Sequence, residues 1–167
     1  MAETARRTET RTLEIVRVFD APRELVWKAW TEPERMMRWF GPKEYTAPVV
    51  KIDLRVGGKS LICMRSPEGQ DYWNVGTYRE IVPPERLVVT DSFADPDGNV
   101  VPATYYGMGE DMPLEMLVTV TFDDLGGGKT RMTLRHEGMP VTAIEGGAEQ
   151  GWSESFDKLA ASLAAAR

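Results

Sequence analysis

The chain has 167 residues, 42% of them apolar and 28% charged, and carries a formal net charge of −6. That size and balance fit one globular domain with a real core, and the acidic excess with no Lys/Arg run argues against a nucleic-acid partner. Its one cysteine, Cys63, excludes an internal disulfide, and no apolar segment approaches the roughly 18–20 residues that cross a membrane.

Residues 1–11 hold arginines with no hydrophobic stretch behind them, so a flexible tail is expected rather than a signal peptide. A single domain over 12–167 follows, with the cytoplasm as the expected address. Residues 12–20 (TLEIVRVFD) are rich in β-branched and aromatic side chains and read as a strand. Asp20 and Pro22 then open a short helix, Asp20 as its cap, with Leu25, Val26, Ala29 and Trp30 on its inward face. A second short helix runs from Pro33 to about Trp39 and is ended by Gly41 and Pro42.

Strand and turn signals dominate from there. Residues 45–54 form a strand whose Pro48 places it at an edge or a bulge. Strands over 59–65, 71–82 and 86–93 follow, divided by turns at 56–58, 67–69 and 83–84, and 95–98 (DPDG) is a strong turn signal. Residues 99–113 fit no period and read as a long loop, a candidate lid. Residues 114–122 and 129–136 make a hairpin through 123–128. The last segment, from Thr142, places Trp152, Phe156, Leu159 and Leu163 at spacings of four, three and four, one stripe of a helix. Thr142 and Glu145 resemble a capping box. A helix of about 22 residues would span roughly 33 Å. Gly151 within it marks either a close approach of backbone or ligand, or a late helix start.

Short connections between successive strands favour an antiparallel meander. The expected architecture is α+β: a curved seven-stranded antiparallel sheet wrapped around a long C-terminal helix, with two short helices after the first strand. The space between sheet and helix is the natural place for a ligand.

Several stretches recur together in one register: APRELVW (21–27), WTEPER (30–35), WFGP (39–42), the glycine pair 57–58, GTY (76–78), PPERL (83–87), HEG (136–138), and Gly151-Trp152 through Leu159. This series, over about residues 12–165, resembles the START-like, or SRPBCC, superfamily. It is most similar to the branch named after the activator of Hsp90 ATPase homologue. The resemblance implies the helix-grip fold with a deep cavity between sheet and helix. It also implies a range of activities, from lipid carriage to polyketide cyclisation, so the fold alone does not choose among them. The co-chaperone in that branch carries an extra N-terminal domain not found here, and a Hsp90-type partner is discounted for that reason.

Strand parity selects the residues that would face the cavity. Met116, Val118, Val120 and Phe122 share one face of the hairpin, with Met132, Leu134 and His136 on its partner strand; Leu87, Val89, Asp91 and Phe93 share another. The expected ligand-binding set is Trp39, Phe40, Trp73, Tyr78, Asp91, Phe93, Tyr105, Tyr106, Met116, His136 and Trp152. Aromatic walls with few polar tips are what small-molecule sites require. Met108 and Met112 flank the two loop tyrosines and suit an adaptable mouth. Asp91 and Glu80 are candidate acids for proton transfer, against a solvated or arginine-paired role.

His136, the only histidine, has no second His or Cys to share a metal, so neither a metal nor any other cofactor is expected. Ending its strand by hydrogen-bonding backbone or the start of the helix is its simpler role. Cys63 reads as a small buried hydrophobe. Gly126–Gly128 lie in a hairpin rather than ahead of a helix, which argues against nucleotide binding. No recognisable catalytic constellation emerges. The leading expectation is therefore a non-catalytic module that binds a small hydrophobic molecule (lipid, aromatic or polyketide-like). A cyclase or aromatase-type enzyme is the second reading and a Hsp90-related interaction the third; a homodimer through an exposed strand stays open.

Overall fold

The computed structural model describes residues 9–166, so most of the expected tail over 1–11 lies outside the described residues, as does Arg167. The chain enters as β1 (Thr10–Phe19), two residues earlier than the sequence predicts. Helix α1 (Arg23–Thr31) and the four-residue α2 (Pro33–Met36) follow. The cap position of α1 is held by Pro22, not Asp20. The inward face of α1 also includes Trp27, which is buried beside Val26, Ala29 and Trp30.

Six further strands complete an antiparallel sheet: β2 (Thr46–Ile52), β3 (Lys59–Arg65), β4 (Asp71–Val82), β5 (Arg86–Ala94), β6 (Met116–Gly126) and β7 (Lys129–Pro140). Their order is β1-β7-β6-β5-β4-β3-β2, so β1 and β2 are the two edges of an open sheet. Pro48 accordingly sits in an edge strand, beside a register shift between Thr46 and Val49. Gly76 on β4 is required by the close approach of β5: a Cβ there would lie 2.2 Å from the Thr90 carbonyl oxygen. The connection between β5 and β6 is not wholly irregular, since Ala103–Tyr106 form one 3₁₀ turn.

The C-terminal segment is less regular than its apolar stripe predicts. A short turn, α3 (Val141–Ala143), runs into a wide turn over Ile144–Ala148, where Gly147 has φ 113°; the straight helix, α4, spans Glu149–Ala165. A positive φ of that size is glycine territory and breaks the continuous helix. The capping box does not form. Thr142 instead hydrogen-bonds the Asp111 carboxylate, which ties this segment to the β5–β6 connection.

Helix α4 crosses the concave face. Phe156, Leu159 and Leu163 are buried at 4% exposure or less among Val118, Val120, Phe122, Met132 and Leu134 of the hairpin. Each such burial contributes roughly 1.5–3 kcal/mol. Phe156 also meets Trp30, Trp39 and Trp152, with ring centroids 5.6–6.3 Å apart. Polar contacts fix the helix at both sides. Arg17 of β1 donates to Asp157 Oδ1 at 2.7 Å and to the Ser153 carbonyl at 3.2 Å. On the other side, Lys158 Nζ donates to the carbonyls of Pro42 and Tyr45, both at 3.0 Å, and Lys43 N–H donates to Glu154. We expect Phe156→Ala to cost about 3–5 kcal/mol of unfolding free energy, read by urea denaturation, because it empties the contact between helix, sheet and α1.

Candidate functional site

Between the N-terminal half of α4 and the concave face of the sheet lies a cavity of about 350 Å³. Its wall is mainly carbon and sulfur. Phe40, Tyr72, Trp73, Phe93 and Trp152 contribute rings, and five of the nine methionines (Met64, Met108, Met112, Met116 and Met139) contribute thioethers. Ala143, Ala148, Gly151 and Ser155 supply the helical side. A smaller space of about 70 Å³ lies against the core and includes Tyr78; Phe40, Asn74, Asp91 and Trp152 border both. Burial pushes the Tyr78 phenol up to about 12, so it remains a neutral hydroxyl.

One polar cluster interrupts this wall. Trp152 Nε1–H donates to His136 Nδ1 at 3.2 Å. That bond requires a lone pair on Nδ1, so the hydrogen-bond network assigns the ring proton to Nε2. His136 Nε2 lies 3.0 Å from Asp91 Oδ2, but the N–H is not aligned on that oxygen, and this buried nitrogen lacks a hydrogen-bond partner. Asn74 Nδ2 donates to Asp91 Oδ1 at 2.7 Å. Burial opposes ionisation of Asp91, but the contacts with His136 and Asn74 outweigh it and hold the carboxyl below its usual range. Asp91 is therefore an anion in the wall of an apolar cavity.

Four elements build the cluster: α4, β7, β5 and β4. Asp91 is registered with Met116, and Val118 with both Val89 and His136, so β6 lies between the strands that carry the acid and the imidazole. Because all these residues share the concave face, a residue on β5 and one on β7 meet across it.

The model of the family described as "Activator of Hsp90 ATPase homolog 1-like protein" matches residues 20–164. The chain belongs to this family. Solved relatives with the same fold include a protein from Chromobacterium violaceum, 29% identical with TM-score 0.75 over 91% of this chain and 96% of that one. A protein from Nitrosomonas europaea is 27% identical, also with TM-score 0.75, over 91% and 93% of the two chains. A third, from Arthrobacter aurescens, is 27% identical with TM-score 0.77 over 95% and 92%. No curated protein matches the sequence. The helix-grip fold that the resemblance implies is the fold of this family member.

Phe40, Trp73, Asp91, Phe93, Met116, His136 and Trp152 of the expected set surround the cavity, and Tyr78 lies in the smaller space. Three do not reach either one. Trp39 is fully buried in the core, its Nε1–H donating to the Ala29 carbonyl at 3.0 Å. Tyr106 pins the β5–β6 connection to the sheet: its hydroxyl accepts from Trp73 N–H at 3.1 Å and donates to the Ala94 carbonyl at 2.5 Å. Tyr105 is 56% exposed and packs edge-on against Tyr106. In this loop the methionines, not the tyrosines, face the cavity. Glu80 lies on the surface in an ion pair with Arg86. Cys63 is buried, and burial pushes its thiol up to about 11. His136 does not end its strand, since β7 continues to Pro140, but it does hydrogen-bond the start of the long helix, through Trp152.

Asn74, Tyr72 and Met139 were not singled out by sequence. Of these only Asn74 carried a signal, as a lone amide within an otherwise apolar stretch of strand.

Two outcomes test the cluster. Long-range ¹H–¹⁵N correlation on the sole histidine is expected to show the Nε2–H tautomer, and Trp152→Phe to release that preference. Asp91→Asn is expected to lower stability by about 1–2 kcal/mol at neutral pH, because the new amide faces the imidazole N–H donor to donor. The folded carboxyl titrates below the unfolded value of about 3.9, so its contribution is present above that pH and is lost as pH falls through the folded value. The gap between wild type and variant in urea unfolding should accordingly close below about pH 4.

Proposed function

We propose that this protein binds a small, largely apolar molecule in the cavity between α4 and the sheet, without chemistry of its own. The observation that carries the reading is the cavity itself: its volume falls within the range of about 300–1,000 Å³ usual for small-molecule sites, and its lining is mainly apolar, with Asp91, Asn74 and His136 gathered in one cluster. Phe40, Trp73, Phe93, Met116 and Trp152 would contact the apolar body, Asp91 and His136 its polar part, and Tyr78 any portion reaching the smaller space. Methionine side chains bend at little cost and suit ligands of varied outline.

The Asp91–His136 pair supports a second reading, proton transfer at an enolisable carbon as in cyclase or aromatase chemistry, since it places an acceptor and a donor beside the cavity. The two readings separate in D₂O. An enzyme would accelerate hydrogen–deuterium exchange at the activated carbon of a bound 1,3-diketone and lose that with Asp91→Asn, whereas a carrier would leave the solution rate unchanged.

Gly151 provides the direct test of binding, because it borders the cavity within a regular helix. Gly151→Leu should keep or raise stability by up to about 1 kcal/mol through helix propensity while filling the space. We expect the wild type to bind the apolar fluorophore N-phenyl-1-naphthylamine and the variant to lose that binding. A wild type that ignores the fluorophore, or a variant that binds it equally well, would remove the cavity from consideration.

A further inference from the structure

From the polar cluster we infer that the ligand carries a hydroxyl, as a neutral alcohol or phenol on an otherwise apolar skeleton, gripped between the Asp91 carboxylate and the Nε2–H of His136. The inference rests on the binding reading above and specifies the chemical class for that site.

The geometry sets a donor beside an acceptor. His136 is buried, with a side chain 6% exposed, and its Nε2 has no aligned acceptor although Asp91 Oδ2 is only 3.0 Å away. Trp152 occupies Nδ1, so the ring cannot switch tautomer without giving up that bond. An N–H left unpaired away from water is costly, which makes this nitrogen ready to accept a partner supplied from the cavity. Asp91 is equally incomplete. A carboxylate offers about four lone-pair sites, and the aligned side-chain donor to Asp91 is Asn74, on Oδ1.

Only some groups satisfy both neighbours at once. A hydroxyl accepts from Nε2–H and donates to the carboxylate through a single oxygen. A carbonyl or ether oxygen could accept from His136, but its other lone pair would face the Asp91 anion. A carboxylate or phosphate would meet that anion directly, and among the described residues no lysine or arginine lines the cavity to offset it. A protonated amine would find Asp91 but has no lone pair to accept from Nε2–H. The surrounding rings and thioethers take the rest of the molecule.

The test compares three probes of similar shape by calorimetry: 2-naphthol, 2-methylnaphthalene and 2-naphthoate. Methyl replaces hydroxyl at nearly constant volume, so their ratio isolates the polar contact. We expect 2-naphthol to bind wild type roughly ten- to hundredfold more tightly than 2-methylnaphthalene, the range for hydrogen bonds that involve a charged partner. Asp91→Asn should bring that ratio close to one. Independently of any variant, the Nε2 ¹⁵N resonance of the sole histidine should move with 2-naphthol and stay in place with 2-methylnaphthalene. Equal affinities for the two in wild type, a histidine resonance indifferent to 2-naphthol, or tighter binding of 2-naphthoate would each overturn the hydroxyl anchor while leaving the apolar cavity standing. Failure of all three probes to bind would sink the cavity reading and the anchor together.

Discussion

An open sheet of seven strands has one apolar concave face that must be covered, and everything in this molecule depends on the long helix laid across it. Helix α4 does so unevenly. Toward its C-terminus, Phe156, Leu159 and Leu163 press into the hairpin side chains with almost no exposure. Toward its N-terminus the residues that line the space against the sheet are Gly151, Trp152 and Ser155, with Ala148 just before the helix. Gly151 and Ser155 leave room beside Trp152 at one end, while Phe156, Leu159 and Leu163 fill the other, so the same helix has a hollow end and a packed end. The ties from Arg17 to Asp157 and from Lys158 to the 42–45 connection hold it between the flanks of the sheet. Lys158 makes this contact at some electrostatic cost, since burial lowers its pKa against the opposing pull of Glu154.

Within the hollow end, charge is tolerated only because it is shared. A lone carboxylate in an apolar wall would protonate rather than stay charged. Asp91 instead stands in a relay that begins with an indole on the helix and ends with an amide on β4. Each member limits the next: the indole chooses the imidazole tautomer, and the imidazole and amide keep the carboxyl ionised. The relay couples helix to sheet, so the position of Trp152 bears on the electrostatics of Asp91, two strands from His136 in sheet order.

Much of this was legible in the sequence because the relevant signals are local. Strands β3 and β4 lie where alternation and turn residues place them, and Pro48 announced an edge strand through its missing donor. Face parity put Asp91 and His136 on the concave side. Their meeting was not legible, because the long connection between β5 and β6 leaves the register of those strands open until the chain is folded. The break at Gly147 was hidden for a different reason: an apolar stripe that begins at Trp152 says nothing about the backbone before it. Tyr105 and Tyr106 look like ligand contacts by composition, yet a hydroxyl that can hold two backbone groups is also a good strut, and Tyr106 is used that way.

The methionine lining has a chemical side that its packing does not reveal. A thioether is the one apolar group in the wall that a mild oxidant converts into a strong dipole, by adding a single oxygen atom. Met108 is 40% exposed at the rim, while Met116 and Met139 lie buried behind it. Oxidation would therefore proceed from the outside inward, each sulfoxide turning a patch of oily surface into one that prefers water. The softness that lets this cavity adjust its outline also leaves its polarity subject to the redox conditions around it.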